Sequence, residues 1–442
     1  METVKTRRTI LTKPMKVLFH SWHFLPHSYG ICCAFLLINL HLNYGPNGKI
    51  KKNAIEIYVE EAPFFNLNWK KQLVYTEEYN LILKNLKVWD KKEEIDLIYR
   101  QTYPYNINIT EENKDIPKCI FYTSEFAYLT NNYFSIEKPK EIGPKDYDLY
   151  ISLFLKEFKN IYFTSPSVWS SRGMIRFLDN VEDSSRNRIV THGVDTSIFR
   201  KNIINRNSIR ERYNIKETDI LLVNIGAMTT NKGIKLILEV LNIIVNRMGR
   251  TEYKLMLKGS GDLYSCKEFL QIYFDEFEKN NVMTFIEIDN LLTKHIVFID
   301  KTISFERIND LFNACDAYIS PYLCEGFNLC VLEALSSGLS VLVPKTGSTK
   351  EYIDSIYSNG GNESIFYVDS SVTIDQVGLC QNIITIDNLV NTIINSDFKK
   401  EKNSYNKMLD FINKELSWNH ASTLLYDYFN FIKHEQLGIT FE

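Results

Sequence analysis

The sequence predicts an α/β protein with two doubly wound domains. An apolar strand, a glycine-bearing loop and an apolar helix follow one another twice, over residues 15–42 and over residues 219–245. This order opens a domain in which helices cover both faces of a parallel sheet. The chain length of 442 residues also exceeds what one hydrophobic core usually serves, which favours two or three domains.

Composition narrows the class of protein. Hydrophobic residues make up 45% and charged residues 24%, as in soluble globular proteins. A net charge of −3 gives no overall signal for nucleic-acid binding. None of the eight cysteines forms a C-x-x-C pair, which argues against a zinc site, and together with the lack of a secretory signal this indicates a reducing, cytoplasmic compartment. The apolar run 31–40 is too short to cross a bilayer.

Charge is divided unevenly along the chain. Residues 1–200 contain 27 Lys and Arg against 23 Asp and Glu, and residues 201–442 contain 24 against 31. A basic first half suits a phosphorylated acceptor or peripheral contact with an anionic membrane. Chance scatter of surface charge is the simpler explanation.

The first predicted domain opens with a strand at 15–19, a loop at 23–30 that contains Gly30, and a buried helix at 31–42. A long amphipathic helix is predicted at 69–89. Glu125 lies in the loop after the strand at 118–123. Further strands are predicted at 55–59, 95–99 and 161–164.

The first domain ends near the phrase His192-Gly193-Val194-Asp195. The His-Gly pair indicates a tight turn at the edge of a sheet. His192 is a site candidate, with turn formation as the alternative, and capping of the hinge is the preferred role of Asp195.

The second predicted domain begins with a strand at 219–225 and a loop from Gly226 to Gly233 that contains Lys232. A cation before a helix can face phosphate, because the first amides of a helix also attract anions. The next strand, 253–257, runs into Lys258-Gly259-Ser260-Gly261, a candidate nucleotide-contact loop. An ordinary solvated lysine is the alternative for Lys232.

The most informative stretch is residues 320–351, where Glu325 and Glu333 lie eight positions apart. The pattern predicts a strand, a glycine-bearing turn and a helix from about Asn328. Glu325 then falls at the carboxyl end of a strand, where open α/β sheets bind ligands. Glu333 lies about two turns further on, where a carboxylate can accept hydrogen bonds from ribose hydroxyls. Two ordinary surface glutamates are the alternative.

The sequence motifs around these carboxylates resemble the donor-site signature of the retaining family 4 glycosyltransferases. Glu-Gly-Phe, Leu-Glu-Ala, Ser-Gly-Leu-Ser-Val-Leu-Val, Gly347 and Glu351 follow in the order of that signature. Asn328 stands where the family has Gly, and Ser340 where it has Pro. The resemblance is continuous over about 190–351, with a weaker echo near Trp418.

The resemblance implies the GT-B architecture, two Rossmann-like domains facing a central cleft. Residues 1–199 would form the acceptor-binding domain and 200–400 the donor domain, and the last of the C-terminal helices in 401–442 would pack back toward the first domain. The donor would be a UDP- or GDP-linked sugar, used as co-substrate with no separate cofactor. A glycan, lipid or protein would be the acceptor, and the sugar would be transferred with retention.

Site roles also follow from the resemblance. Glu325 would act in catalysis at the donor sugar, Glu333 would bind ribose, and Lys232 would bind the diphosphate. The remaining donor-site candidates are Gly226, Lys258, Phe327, Asn328 and Leu329, and the candidates for an acceptor or loop site are Gly30, Glu125 and His192.

The resemblance also implies that no metal is needed, since Lys232 and helix amides would neutralise the leaving group. The triplet Asp146-Tyr147-Asp148 matches the D-x-D pattern that binds metal in other transferases, but it lies in the first domain, away from the donor-site motifs. A solvated surface is the preferred interpretation of these charges. Ala227 replaces the Arg that usually accompanies the Lys. That loss leaves open a catalytically impaired sugar-nucleotide or glycan-binding protein, and an epimerase on the same fold is a further alternative.

Overall fold

The computed structural model describes residues 13–64, 66–137, 139, 141–178 and 185–438. The chain divides into two compact units. Unit 1 contains the residues up to Gly193 together with those from Trp418 onward, and unit 2 is Val194–Ser417. The predicted segment 401–442 is therefore shared between the units, and the predicted cleft stays a prediction.

Unit 1 is built on a seven-stranded parallel sheet with the order β3-β2-β1-β4-β6-β8-β9. Its central strands are apolar and buried on both faces, as expected when helices cover both sides. A small parallel pair, β5 with β7, lies beside it. The strands are β1 Met15–Ser21, β2 Ile55–Glu61, β3 Lys87–Val88, β4 Leu97–Gln101, β5 Tyr105–Asn106, β6 Lys118–Phe121, β7 Phe134–Ser135, β8 Ile161–Ser165 and β9 Asn187–Ile189.

Unit 2 contains a six-stranded parallel sheet with the order β12-β11-β10-β13-β14-β15. The chain leaves β10 toward one edge and returns to β13 to build the other edge. The carboxyl ends of β10 and β13 thus flank a topological switch point, where such sheets bind ligands. The strands are β10 Ile220–Ile225, β11 Tyr253–Lys258, β12 Ile296–Ile299, β13 Ala317–Ile319, β14 Ser340–Pro344 and β15 Ile365–Val368, followed by the antiparallel hairpin of β16 Ser370–Ile374 and β17 Cys380–Ile384.

The helices cover these sheets with their apolar faces. Those of unit 1 are α1 Ser28–Tyr44, α2 Glu77–Lys84, α3 Tyr147–Glu157, α4 Val168–Ile175 and, at the end of the chain, α14 Trp418–Gln436. Those of unit 2 are α5 Arg206–Arg212, α6 Ile234–Asn242, α7 Cys266–Lys279, α8 Phe285–Asn290, α9 Phe305–Ala314, α10 Leu329–Ser336, α11 Lys350–Ser358, α12 Ile386–Asn395 and α13 Tyr405–Glu415.

Short 3₁₀ and π turns complete the secondary structure. The π turns extend α6 and α8. The 3₁₀ turns are Asn131–Tyr133, Pro144–Asp146, Ile203–Asn205, Thr230–Lys232 and Gly361–Glu363, and the π turns are Ile243–Arg247 and Leu291–His295.

The last helix belongs to unit 1 because aromatic side chains join it to α1. The rings of Tyr44 and Tyr426 stack at 3.9 Å, and those of Phe35 and Trp418 at 5.3 Å. Ring contacts of this kind add to the free energy gained by burying apolar area.

Two elements differ from the sequence prediction. The helix predicted at 69–89 is limited to α2, and residues 87–88 instead pair with β2 as an edge strand. Thr76 caps the start of α2, since its side chain accepts a hydrogen bond from the amide of Tyr79. The loop predicted to reach Gly30 ends earlier, because α1 begins at Ser28.

Within the ranges that the structure describes, no helix combines the length and the apolar character needed to cross a membrane.

Candidate functional site

The predicted site residues Lys232 and Glu325 come together at the switch point of unit 2. Lys232 follows β10 and Glu325 follows β13, and the Lys232 ammonium forms an ion pair with Oε1 of Glu325. Glu325 is buried. A buried carboxylate is costly without a partner, so this cation stabilises it.

A glycine allows the two loops to approach each other. Gly233 has a φ of 73°, and a Cβ there would collide with the carbonyl oxygen of Pro321. The amide of Leu323 also donates to the carbonyl of Asn231 at 2.8 Å. Gly233 therefore lets the loop that carries Lys232 lie against the end of β13.

Asn328 shapes the start of helix α10. Its φ of 72° is left-handed, a region that Gly and Asn tolerate best. Its Nδ2 donates to Oγ of Ser320 at 2.9 Å, and its carbonyl accepts from the hydroxyl of Tyr352 at 3.0 Å. The ring of Phe327 stacks on Tyr352 at 4.7 Å. The replacement of the family's usual Gly is thus compatible with the backbone.

Helix α10 begins at Leu329 without a side-chain cap from Asn328. The first amides of a helix have no partners within it and carry a partial positive charge. An anion can satisfy such amides. The helix start lies four residues after Glu325.

Glu333 on α10 lies within electrostatic reach of Lys258. Burial raises the pKa of Glu333 to about 7, and the neighbouring Cys330 and Lys258 oppose that rise. Lys258 ends β11 and is 4% exposed, and burial lowers its pKa. Its ammonium lies 3.4 Å from Oγ of Ser260. The charge of Lys258 therefore acts on Glu333, and Ser260 is the side chain that the Lys258 ammonium approaches.

Gly226 lies beside Lys232 but its amide is already bonded. The amide donates to the carbonyl of Lys258 at 3.0 Å. A Cβ at Gly226 would make only ordinary contact with the Lys232 side chain, at 3.9 Å. Ala227, where the family usually has Arg, offers its carbonyl to the thiol of Cys266 at 3.4 Å.

Among the unit 1 candidates, Gly30 lies in the first turn of α1. A Cβ there would collide with the carbonyl oxygens of Trp22 and Leu25, so the glycine permits a close backbone approach. Glu125 lies close enough to Tyr29 to affect its titration. Burial and the adjacent Tyr105 raise the pKa of Tyr29, and the charge of Glu125 adds to this rise.

Glu125 and His192 make further contacts within unit 1, through the backbone and through aromatic rings. The carbonyl of Glu125 accepts from the indole of Trp169 at 2.7 Å. His192 lies between the rings of Phe121 and Trp418, with Nε2 3.4 Å from Sγ of Cys32. Burial lowers the pKa of His192 to about 3, so the imidazole is uncharged at neutral pH.

Asp146 of the Asp-Tyr-Asp triplet is exposed, as the prediction of a solvated face has it, whereas Asp148 is engaged in the packing of unit 1. Asp148 accepts from the amide of Asn131 at 2.8 Å and pairs with Nη2 of Arg176 at 2.6 Å. Across the described part of the chain, no three His, Cys, Asp or Glu side chains are placed to hold a metal ion.

Sequence reasoning missed a polar cluster behind the start of α10. The hydroxyl of Tyr322 bonds to Thr349 and to the carbonyl of Thr346, the latter at 3.0 Å. Asn382 on β17 donates to the carbonyl of Tyr322 at 3.2 Å. Gly347, with a φ of 87°, lies against this tyrosine. The Gly-Ser-Thr run after β14 could have indicated a polar turn at this position. Asn382, in contrast, lies in a hairpin that the sequence did not predict.

Comparison with known proteins finds a family model and a curated relative that match part of the chain. Residues 205–360, about a third of the chain, match the family model described as "Glycosyl transferases group 1". A curated relative, an uncharacterized glycosyltransferase of Methanocaldococcus jannaschii, is 23% identical over 168 residues. That alignment covers 38% of this chain and 38% of the relative's length.

Solved structures share the fold across nearly the whole chain. Anabaena HepE in complex with UDP-glucose has a TM-score of 0.57 at 11% identity, covering 93% of this chain and 98% of that one. A glycosyltransferase from Rickettsia africae gives 0.59 at 12%, covering 97% and 100%. The sucrose-phosphate synthase of Thermosynechococcus elongatus gives 0.58 at 13%, covering 95% and 98%.

Identities this low establish the fold alone. The Lys232–Glu325 pair and helix α10 both lie inside the matched residues. Residues 205–360 thus match the model of the group 1 glycosyl transferases, and the chain has the GT-B fold with two Rossmann-like domains.

Proposed function

We propose that this protein transfers a sugar from a UDP- or GDP-linked donor to an acceptor, with retention at the anomeric carbon and without a metal ion. The observation that carries the proposal is the ion pair of Lys232 and Glu325 at the switch point. A cation and a carboxylate there are the two groups that binding a nucleotide sugar would require. HepE, which shares the fold, binds UDP-glucose.

In this proposal the donor diphosphate lies at the start of α10. The first amides of α10 and the ammonium of Lys232 would neutralise it. Lys232 would exchange its partner, leaving Glu325 for the phosphates. Glu325 would then be released to hydrogen-bond the hydroxyls of the donor sugar.

The nucleoside would extend toward β11. Glu333 is the acceptor of hydrogen bonds for the ribose hydroxyls, since a carboxylate accepts from both at once. Lys258 beside it keeps part of the charge compensated. Lys258 also supplies a second buried cation to a donor site that lacks the Arg at position 227.

During transfer, the bond from the anomeric carbon to the diphosphate breaks and a bond to an acceptor oxygen forms. The proton of the acceptor hydroxyl passes to the phosphate oxygen from which the sugar departs, so the nucleoside diphosphate leaves with it. Lys232 and the amides of α10 would stabilise the negative charge that develops on the leaving group. The carboxylate of Glu325 would stabilise positive charge on the sugar ring.

The test compares Glu325→Gln with wild-type protein, with UDP- and GDP-sugars and an acceptor panel as substrates. We expect kcat to fall much more than donor affinity, because only interactions stronger in the transition state accelerate the step. The readout is nucleotide released in the presence of acceptor. A variant that keeps wild-type kcat would refute the assigned role of Glu325.

One observation favours a second candidate function, a sugar-nucleotide-binding protein with impaired catalysis. Ala227 removes a cation that would stabilise the leaving group. Ala227→Arg distinguishes the two, since it should raise a low turnover if the missing cation limits catalysis. Tight donor binding without turnover in either form, for every acceptor tried, would favour the binding protein.

A further inference from the structure

Unit 2 carries a strongly basic surface formed by two chain segments. Residues 200–216 contain six Lys and Arg against one Glu, and residues 399–407 contain four against one. We call these two segments the basic face. It stands out because residues 201–442 have seven more acidic than basic residues.

Direct contacts place the two segments side by side. The ammonium of Lys399 donates to the carbonyl of Glu217 at 2.6 Å. The ammonium of Lys201 lies 6.0 Å from the centre of the Tyr405 ring, and the amide of Lys201 donates to the Tyr405 hydroxyl. Lys402 bonds to the carbonyl of Gly338, against which the Lys201 side chain also packs.

The cations are close enough to influence one another. Burial lowers the pKa of Lys402 to about 8, and the charges of Lys201 and Arg206 add to that decrease. The acidic Asp316 within this region is buried and pairs with Arg206 and Arg210. Its charge is therefore turned inward.

The exposed acids within or directly adjoining the two segments are Glu211, Glu217 and Glu401, and exposed cations outnumber them. Asp310 on α9 accepts a hydrogen bond from Asn205 and lies 4.0 Å from Arg307.

Two isoleucines project from the same face. Ile203 is 65% exposed and Ile204 is 84% exposed. They occupy the short 3₁₀ turn Ile203–Asn205 between Lys201 and Arg206. Exposed large apolar side chains within a basic segment are typical of surfaces that bind the interface of an anionic membrane.

We propose that the basic face docks unit 2 onto an anionic lipid surface, with Ile203 and Ile204 inserted between the headgroups. Apolar insertion explains why two neighbouring isoleucines are left in water. The surrounding cations explain the preference for an anionic leaflet. A nucleic acid would use the cations but would leave the isoleucine pair without a function. Docking is independent of the proposed glycosyl transfer.

The experiment is co-sedimentation of the full chain with vesicles. Vesicles of phosphatidylcholine alone are compared with vesicles of phosphatidylcholine and phosphatidylglycerol in equal parts. We expect binding to the anionic vesicles only, weakening as salt is added. Ile203→Ser with Ile204→Ser should reduce it at least tenfold.

A second variant removes charge from positions that are exposed: Arg200→Gln, Lys400→Gln and Lys407→Gln. Each cation that reaches an anionic leaflet strengthens binding about fivefold, so this variant should bind about a hundredfold more weakly. A matched control is Phe285→Ser with Ile286→Ser. These residues are 69% and 78% exposed, but Glu287 and Asp289 adjoin them.

The control variant should bind vesicles like wild-type protein. Thermal unfolding checks that each variant is folded, which exposed substitutions should permit. Absence of wild-type binding to anionic vesicles, or equal binding by both sets of variants, would overturn the proposal. Binding to duplex DNA that is lost only in the glutamine variant, without vesicle binding, would assign the basic face to nucleic acid.

Discussion

Replacement of Glu333 by Gln should change how the stability of the protein depends on pH. The Glu333 carboxyl is 8% exposed, and its pKa of about 7 lies above the ordinary value of 4.5. Burial causes this rise because it disfavours the charged form. Glutamine keeps the shape of the side chain but does not titrate.

The direction follows from the raised pKa of the folded state. The stability that goes with the protonated form is fully present below about pH 4.5 and is lost as the pH rises through about 7. A rise in pKa from 4.5 to about 7 corresponds to about 3 kcal/mol in the free energy of unfolding. Wild-type protein should therefore lose about that much, relative to the Gln variant, between acidic and mildly alkaline pH.

The assay is urea unfolding of wild type and variant across that pH range, followed by a probe of unit 2. Other titrating groups cancel in the difference between the two proteins. Glu306→Gln, which removes an exposed carboxylate in the first turn of α9, serves as the control for the loss of one glutamate. A difference between wild type and Glu333→Gln that does not vary with pH would refute the reasoning.

The ligand experiment uses the same substitution. If Glu333 binds ribose, its Gln variant should raise the donor KM and leave kcat nearly unchanged, because ribose contacts serve ground and transition states alike. Wild-type affinity should also improve as the pH rises through about 7, because the ionised carboxylate accepts from both hydroxyls. An unchanged KM would exclude the ribose assignment.

Three further predictions concern the same region. Lys232→Ala should weaken donor binding about tenfold or more, since a charge-assisted hydrogen bond contributes roughly 1.5–3 kcal/mol, whereas Lys235→Ala, one turn away in an exposed ion pair, should not; equal dissociation constants by calorimetry would contradict this. Asn328→Ala should lower stability by about 1–2 kcal/mol relative to Asn328→Gly, because of the left-handed backbone, and equal melting temperatures would remove the argument. Activity should persist in excess chelator, and its abolition with rescue by manganese would return attention to Asp146 and Asp148.

Much of the fold could be predicted from local sequence because the central strands are short apolar runs with clear boundaries. The strands β10 and β11 are apolar runs that begin and end at polar or glycine residues, so their positions follow from burial on both faces. Helix α2 was harder to predict. Its apolar residues continue past Lys84, but the chain there becomes an edge strand through pairing with β2, which no local pattern records.

The candidate site divides in the same way. The positions of Glu325, Asn328 and Glu333 could be predicted because they lie within one short stretch whose turn and helix are local. Asn328 could even be predicted to replace a glycine, since both residues tolerate a left-handed backbone. The hydrogen bonds of Asn382 could not, because its partner Tyr322 is 60 residues away.

By itself the sequence determined that each of two domains begins with a strand, a loop and a helix. It also determined that a lysine precedes the first helix of the second domain, and that one carboxylate precedes helix α10 and another lies on it. Only the tertiary structure decided which of these groups meet. Lys232 pairs with Glu325 across 93 positions, and the charge of Lys258 reaches Glu333 because β11 and β13 flank β10. The reason is physical: burial and backbone pattern act locally along the chain, whereas the order of strands in a sheet sets which side chains share a low-dielectric environment and which charges must compensate each other.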